Sequence, residues 1–504
     1  MTEKITLKNY YQELLEIYKE IIVLQNIHWT LHWDQDTFMP KKALEQKTAQ
    51  LALLSDLIHK RKTSEKIQSL LTKITKHKYY SDLTFEEKRN VYLINKEYEK
   101  LTKIPSEIEQ AFIKQRAVTY EKWQIAKKKA DFKIYQDEQE KLIMIVIDRA
   151  KYLAHDKEVL DVLMDQHEPG LNLEKMDRMF IELKKGLLPI IQKCITSSNQ
   201  PDLSLIHRFC SISLQKELAH DQVNAVGFLD GRVDVSVHPI TYGYYDDVRI
   251  TTRYNEDDFT DSFYSIMHES GHALYDQNYP QKFKWQPIGS ACSGGMHEGM
   301  ARFIENMVGR NPKFLEYYFP RLKKITGNIF SDVQIKPFIH AVNHVQPSKT
   351  RVGADEVTYS LHLIFRMEIE KMLFAGKITV SELPNIWNEK MKDYFDINIT
   401  NDSEGVLQDM HWPYAAFGYF PNFAFGNIYG GQLLWKMKQD MPDYELTLSN
   451  GKVTEIVNWL RTNVYQYGNL YDPQDLIKKI TGKEVSTQFF IDYLDEKYAK
   501  LYEY

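Results

Sequence analysis

The first 225 or so residues repeat one pattern with little interruption. Apolar side chains recur at three- and four-residue spacings, and lysines and glutamates fill the intervening positions. In "YYQELLEIYKEIIVLQNIHWTL" the apolar set is Leu14, Leu15, Ile17, Tyr18, Ile21, Ile22 and Leu24. That spacing puts one apolar stripe on a helix face and leaves charge on the other. "KALEQKTAQLALLSDLIHKRK" and "DEQEKLIMIVIDRAKYLAH" read the same way. No Pro/Gly/Ser-rich linker divides the chain, and no period of 20–50 residues suggests a solenoid. A mainly α fold is predicted.

The texture changes at 226–254, "VGFLDGRVDVSVHPITYGYYDDVRITTRY". "RVDVSVH" and "DVRITTRY" alternate, with glycines and a proline between them, which predicts two or three short strands. Helix resumes in "NEDDFTDSFYSIMHESGHALYDQ", with Asn255 as the expected N-cap and acidic residues at the positive end of the helix dipole. Pro280 lies beyond its expected end.

That helix carries His268, Glu269 and His272. Positions i and i+4 share a helix face, so both imidazoles can address one ion. Glu269 is turned about 100° round the helix, where it reaches a water on the ion rather than the ion itself. This is the HExxH arrangement, in which the glutamate serves as general base. A pair of surface histidines is the competing reading.

A catalytic zinc needs a third protein ligand and an open position. "SACSGGMHEGMARFIENMVGR" offers one. Met296, Met300, Phe303, Met307 and Val308 make an apolar stripe, while Glu298, Arg302 and Glu305 make a separate polar one. Two antiparallel helices joined by a loop would bring Glu298 to His268 and His272. His297 points elsewhere on the helix. An ordinary i,i+4 salt bridge with Arg302 competes for Glu298. A His, His, Glu set with a neighbouring base fits hydrolysis by a zinc-activated water.

Bulk properties narrow the classes. A formal net charge of -5 argues against nucleic-acid binding. The longest apolar run found, "LIMIVI", is far too short to span a bilayer. The first residues have no apolar core or small-residue cleavage site, so no secretory signal is read. Three separated cysteines, Cys194, Cys210 and Cys292, suggest neither a disulfide framework nor a CxxC zinc pair; reduced thiols in a cytoplasmic protein are expected. No GxxxxGK[ST] supports phosphate binding.

Seven ordered blocks widen the comparison: "HWDQDTFMP" (32–40), "DVLMDQHEPG" (161–170), "HPITYGYYDDVRITTRY" (238–254), "MHESGHALY", "TRVGADEVTYSLH" (350–362), "GVLQDMHW" (405–412) and "FGYFPNFAFGN" (417–427). With these the chain resembles the carboxypeptidase Taq family of zinc metallocarboxypeptidases. The resemblance implies zinc, with cobalt as an alternative, held by His268, His272 and Glu298, and Glu269 as base. The family's Asp-x-Arg-x-Thr motif falls on Asp247, Arg249 and Thr251. Its Ile-Arg-x-x-Ala-Asp motif falls on Arg351, Ala354 and Asp355, with Thr350 in the isoleucine place. Its Gly-x-x-Gln-Asp-x-His-Trp motif falls on Gly405, Gln408, Asp409, His411 and Trp412. There are departures: His238-Pro239-Ile240 stands for His-Pro-Phe, and His297-Glu298-Gly299-Met300 for His-Glu-Ser-Gln. The resemblance also implies one elongated helical domain over 1–504 with a long central groove, a small sheet near the HExxH helix, and a homodimer.

A carboxypeptidase must recognise a free C-terminal carboxylate, and a guanidinium binds one bidentately. Arg351 and Arg249 are the candidates; salt bridges to Asp355 and to Asp247 are the competing readings. His411 and Tyr419 are candidate donors to the oxyanion, by analogy with other helical zinc peptidases; core packing is the alternative for each. Asp276 and Asp247 are candidate partners for the ligand histidines. Trp33-Asp34-Gln35 is expected to brace the N-terminal helices. Peptides with a free C-terminus are the expected substrates. An oligopeptidase or dipeptidyl carboxypeptidase of related fold, and a helical binding scaffold that has lost catalysis, remain the alternatives; retention of Glu269 speaks against the scaffold.

Overall fold

The computed structural model describes residues 2–504. The long N-terminal pattern becomes a 36-residue helix, Thr2–Thr37. Its buried stripe of Leu7, Tyr11, Leu14 and Ile21 meets Ile67, Leu70, Leu71 and Ile74 of a following helix, together with Val91 and Ile94, in a small core of its own. The helix Phe85–Lys103 begins on a capping box between Thr84 and Glu87. Of Trp33-Asp34-Gln35, Asp34 joins two N-terminal helices and Trp33 ties the first of them to a residue far along the chain. The Trp33 indole donates to Asp234 at 3.1 Å, and Lys47 donates to Asp34 at 2.7 Å.

A second, much larger core runs from Phe112 to Tyr502 and contains the helices around the HExxH segment. None of the described helices is long and apolar enough to cross a membrane.

The alternating segment forms three strands: β1 (Arg232–Val235), β2 (Thr241–Tyr244) and β3 (Asp247–Thr252). Their order is β1-β3-β2. β1 runs parallel to β3 with Arg232 opposite Arg249. β2 runs antiparallel to it with Thr241 opposite Ile250. Val248 and Ile250 face the core, while Arg249 turns outward, as a period of two requires. Gly243 has φ +132, and a Cβ there would lie 2.0 Å from the Asp247 carbonyl oxygen, so only glycine fits the hairpin.

The next helix, Phe259–Gln277, starts three residues later than expected. Asp258 is the N-cap, its carboxylate accepting from Thr260 N at 3.0 Å. Asn255 instead closes a local turn onto Asp257 N at 3.1 Å. An Asx side chain serves either purpose, and Arg253, paired with Asp261 at 2.7 Å, ties the incoming strand to the helix's first turn. The helix ends at Gln277, before Pro280.

The helix Gly294–Arg302 lies directly on it. Gly271 has no side chain, and a Cβ there would be 2.6 Å from both Ala301 Cα and the Met300 carbonyl oxygen. On the other flank Gly299 faces Gly426 of the helix Phe420–Asp440, with 3.1 Å between its would-be Cβ and the Gly426 carbonyl oxygen. Gly294 and Gly295 are the first residues of the helix, capped by Ser293, which accepts from Met296 N at 2.9 Å. The helix then widens into a π-helical segment, Phe303–Gly309.

Candidate active site

The close backbone contact at Gly271 joins the two helices whose three side chains meet at one point. Glu298 Oε2 lies 3.8 Å from His268 Nε2 and 3.7 Å from His272 Nε2. The three donor atoms are all within 4.8 Å of one another. Those separations are too long for hydrogen bonds. They match a shared cation, because two ligand bonds of about 2.0–2.2 Å span up to roughly 4.4 Å.

The charge pattern fits as well. Burial, reinforced by the neighbouring His297 and His268, pushes His272 well below the ordinary histidine range, so it presents a neutral lone pair. Burial opposes charge on His268 too, but Glu298 and Glu305 outweigh it and raise its pKa; the carboxylates call for positive charge here. The residues present therefore fit a divalent metal.

Glu298 is shared between two partners. Its Oε1 accepts from Arg302 Nε at 2.9 Å, so the i,i+4 salt bridge and the convergence with the histidines coexist, one oxygen for each. Arg302 Nη1 also donates to Glu305 Oε2 at 3.2 Å. Glu305 Oε2 lies 2.9 Å from His268 Nδ1, which leaves the Nε2 lone pair directed at the cation position. Neither Asp276 nor Asp247 fills that role. Asp276 Oδ1 lies 3.1 Å from His297 Nε2, and the His297 ring stacks on His272 at 4.3 Å between centroids. Asp247 is paired with Arg249. Glu305 belonged to the polar stripe with Glu298 and Arg302, which was the available signal for it.

Glu269 is buried beside this group. Thr241 of β2 donates to its Oε2 at 2.6 Å. Burial raises the pKa of the carboxyl above the usual range, against the pull of His268.

A cavity of about 560 Å³ opens alongside, lined in part by His297, Tyr419, Asn422, His167, Gly243 and Tyr244. His411 and Tyr419 stand together, ring centroids 5.6 Å apart. Burial, with the charge of Arg351, lowers His411 to about 3, so it is a neutral imidazole at working pH. Burial, with the charge of Glu298, lifts Tyr419 to about 12, so its O–H stays available as a donor.

The two candidate arginines separate. Arg351 pairs with Asp409 at 3.1 Å, not with Asp355, and its Nη1 donates to the Tyr359 hydroxyl at 3.0 Å. Asp355 caps the turn before the next helix, accepting from Thr358 N at 3.0 Å. Arg366 takes the other oxygen of Asp409 at 2.6 Å. Arg249 forms the bidentate pair with Asp247 that the sequence offered, at 2.7 and 2.9 Å, and stacks over Trp33 at 4.2 Å. It lines a second cleft of about 350 Å³ with Trp29, Tyr242 and Trp285. The departures Gly299 and Met300 lie at the packed helix interfaces; Met300 is fully buried.

The family profile of the carboxypeptidase Taq (M32) metallopeptidases matches residues 13–498. The chain is 36% identical over 496 residues to Carboxypeptidase 1 of Bacillus subtilis (strain 168), covering 98% of this chain and 99% of that protein. It is 34% identical over 504 residues to Thermostable carboxypeptidase 1 of Thermus thermophilus, covering 98% and 99%. Among solved structures, the M32 carboxypeptidase of Deinococcus radiodurans R1 superposes with a TM-score of 0.95 at 32% identity, covering 98% of this chain and 100% of that one. The oligopeptidase and lapsed-scaffold readings are not favoured. This chain belongs to the carboxypeptidase Taq family of metallopeptidases.

Proposed function

We propose that the chain is a zinc carboxypeptidase that removes single residues from the C-termini of peptides, with His268, His272 and Glu298 holding the ion. One observation carries this reading: Glu298 Oε2 faces the Nε2 atoms of both histidines at 3.7 and 3.8 Å, beyond hydrogen-bonding reach and within reach of a common cation. Zinc, or cobalt in its place, supplies there a Lewis acid for a peptide carbonyl and an acidified water.

The chain's own groups supply the remaining chemistry. Glu269 is the general base. Thr241 holds its Oε2, which leaves Oε1 to take a proton from the water and return it to the leaving amine. His411 and Tyr419 are neutral donors for the carbonyl oxygen as it gains charge. Arg351 grips the terminal carboxylate, kept rigid by Asp409 and Tyr359. Arg249 is assigned a lesser, more distant substrate contact, since its fork is already taken by Asp247.

The proposal treats residues 1–504 as one catalytic domain that works as a homodimer in the cytoplasm, where three buried free thiols are at home. Sedimentation of the purified protein tests the dimer. The chemistry is tested on a ladder of peptides with metal analysis of the same preparation. Single residues leaving only from the free C-terminus, with about one zinc per chain, support the reading. Release of dipeptides, or equal rates for the wild type and Glu269→Gln, would end it.

A further inference from the structure

The carboxylate-binding arginine and the metal-holding carboxylate belong to different side-chain clusters, and one residue touches both. Tyr359, the first residue of the helix Tyr359–Phe374, is only 3% exposed. Its hydroxyl accepts from Arg351 Nη1 at 3.0 Å. Its ring face carries the guanidinium of Arg302, with Cζ 4.1 Å from the centroid. Arg351 Cζ stands farther from the same centroid, at 6.0 Å, and its hydrogen bond is to the oxygen. Arg302 in turn holds Glu298 Oε1 at 2.9 Å and Glu305 Oε2 at 3.2 Å. On the far side Phe423 stands at 90° to Tyr359 and beneath Arg351 at 5.0 Å.

We propose that Tyr359 is a positioning residue that fixes the distance between C-terminal recognition and the metal: its oxygen orients Arg351, and its ring orients the Arg302 clamp on Glu298. This rests on the assignment of Arg351 to the substrate carboxylate and of Glu298 to the ion. The physical reason is separability. A phenol offers a lone pair at its tip and a negative face on its ring, so one neutral side chain restrains two guanidinium groups at once. An exopeptidase needs that restraint, because the scissile carbonyl lies one residue from the carboxylate it recognises. A small error in that spacing spoils the attack geometry.

The test uses full-length zinc-loaded protein with two changes of similar shape: Tyr359→Phe, and Tyr359→pentafluorophenylalanine introduced by nonsense suppression. Two quantities are read: kcat and KM on an N-acylated dipeptide with a free carboxylate, and the rate of zinc loss to a chromogenic chelator. Tyr359→Phe is expected to raise KM about tenfold with kcat within about twofold, and to lose zinc at the wild-type rate. The fluorinated ring, whose face is no longer negative, is expected to lose zinc at least fivefold faster than Tyr359→Phe at a similar KM. Arg351→Gln is the reference. If it raises KM and Tyr359→Phe does not, the hydroxyl half is overturned while the Arg351 assignment stands. If Arg351→Gln leaves KM unchanged, the assignment itself fails and the proposal with it. Equal zinc loss from the fluorinated and unfluorinated rings overturns the ring half.

Discussion

The Thr241 hydroxyl donates to Glu269 Oε2 at 2.6 Å and also reaches the Glu269 main-chain oxygen at 3.1 Å. A strand of the sheet thus orients the carboxylate proposed as the base on the helix. Replacing Thr241 by Val keeps the shape and removes the donor. We expect kcat/KM to fall about tenfold, as loss of one hydrogen bond to a charged group implies, with zinc content unchanged. Thr241→Ser should retain most activity. Steady-state kinetics with metal analysis decide it.

Glu305 is not a ligand, yet it holds His268 Nδ1 at 2.9 Å. Glu305→Gln keeps the volume and weakens that support. Zinc affinity should fall roughly 10–100-fold, the usual cost of losing such a partner. Competition with a chelator of known affinity measures the change.

The Gly271 contact leaves no room for a methyl group, since the Ala301 backbone stands 2.6 Å from the would-be Cβ. Gly271→Ala must push two helices apart. A loss of about 1–3 kcal/mol of stability is expected, with weaker zinc retention because Glu298 moves with its helix. Denaturant unfolding of the metal-free protein separates the two effects. Unchanged stability and retention would contradict the argument.

Glu370 is fully buried, accepting from the Trp412 indole at 2.8 Å and from Gly418 N at 2.8 Å. Burial lifts its carboxyl from 4.5 to about 7. The folded chain then binds a proton that the unfolded chain has released between those values, so this group makes stability fall as pH rises from about 4.5 to 7. Glu370→Gln cannot titrate. Its stability should decline less over that window, by on the order of 2–3 kcal/mol. Urea midpoints of both proteins at pH 5 and pH 8 give the difference; parallel curves would refute it.

Much of the frame was legible because it is periodic. The apolar stripe of the first helix, the alternation of β1 and β3, and the i,i+4 spacing of His268 and His272 each follow from one repeat length. Partnerships were less legible. Sequence neighbours suggested Asp355 for Arg351 and Asp276 for His272. The structure pairs Arg351 with Asp409 instead and leaves Asp276 to His297. Arg351 and Asp409 lie in two separate loops, and Asp276 and His297 on two packed helices, so each pairing depends on how distant segments come together, which no local pattern encodes. Glu298 shows a different difficulty. The sequence posed salt bridge and convergence with the histidines as rivals, but a carboxylate has two oxygens and here serves both.

The glycine contacts described above carry a consequence for ion choice. Where the main chain of one helix abuts that of another, no rotamer change can widen the gap, so the donor triangle has little give. A frame that stiff discriminates by radius. We expect it to favour ions with bonds of about 2.0–2.2 Å over calcium, whose oxygen bonds run to about 2.3–2.6 Å in pliant, many-coordinate shells.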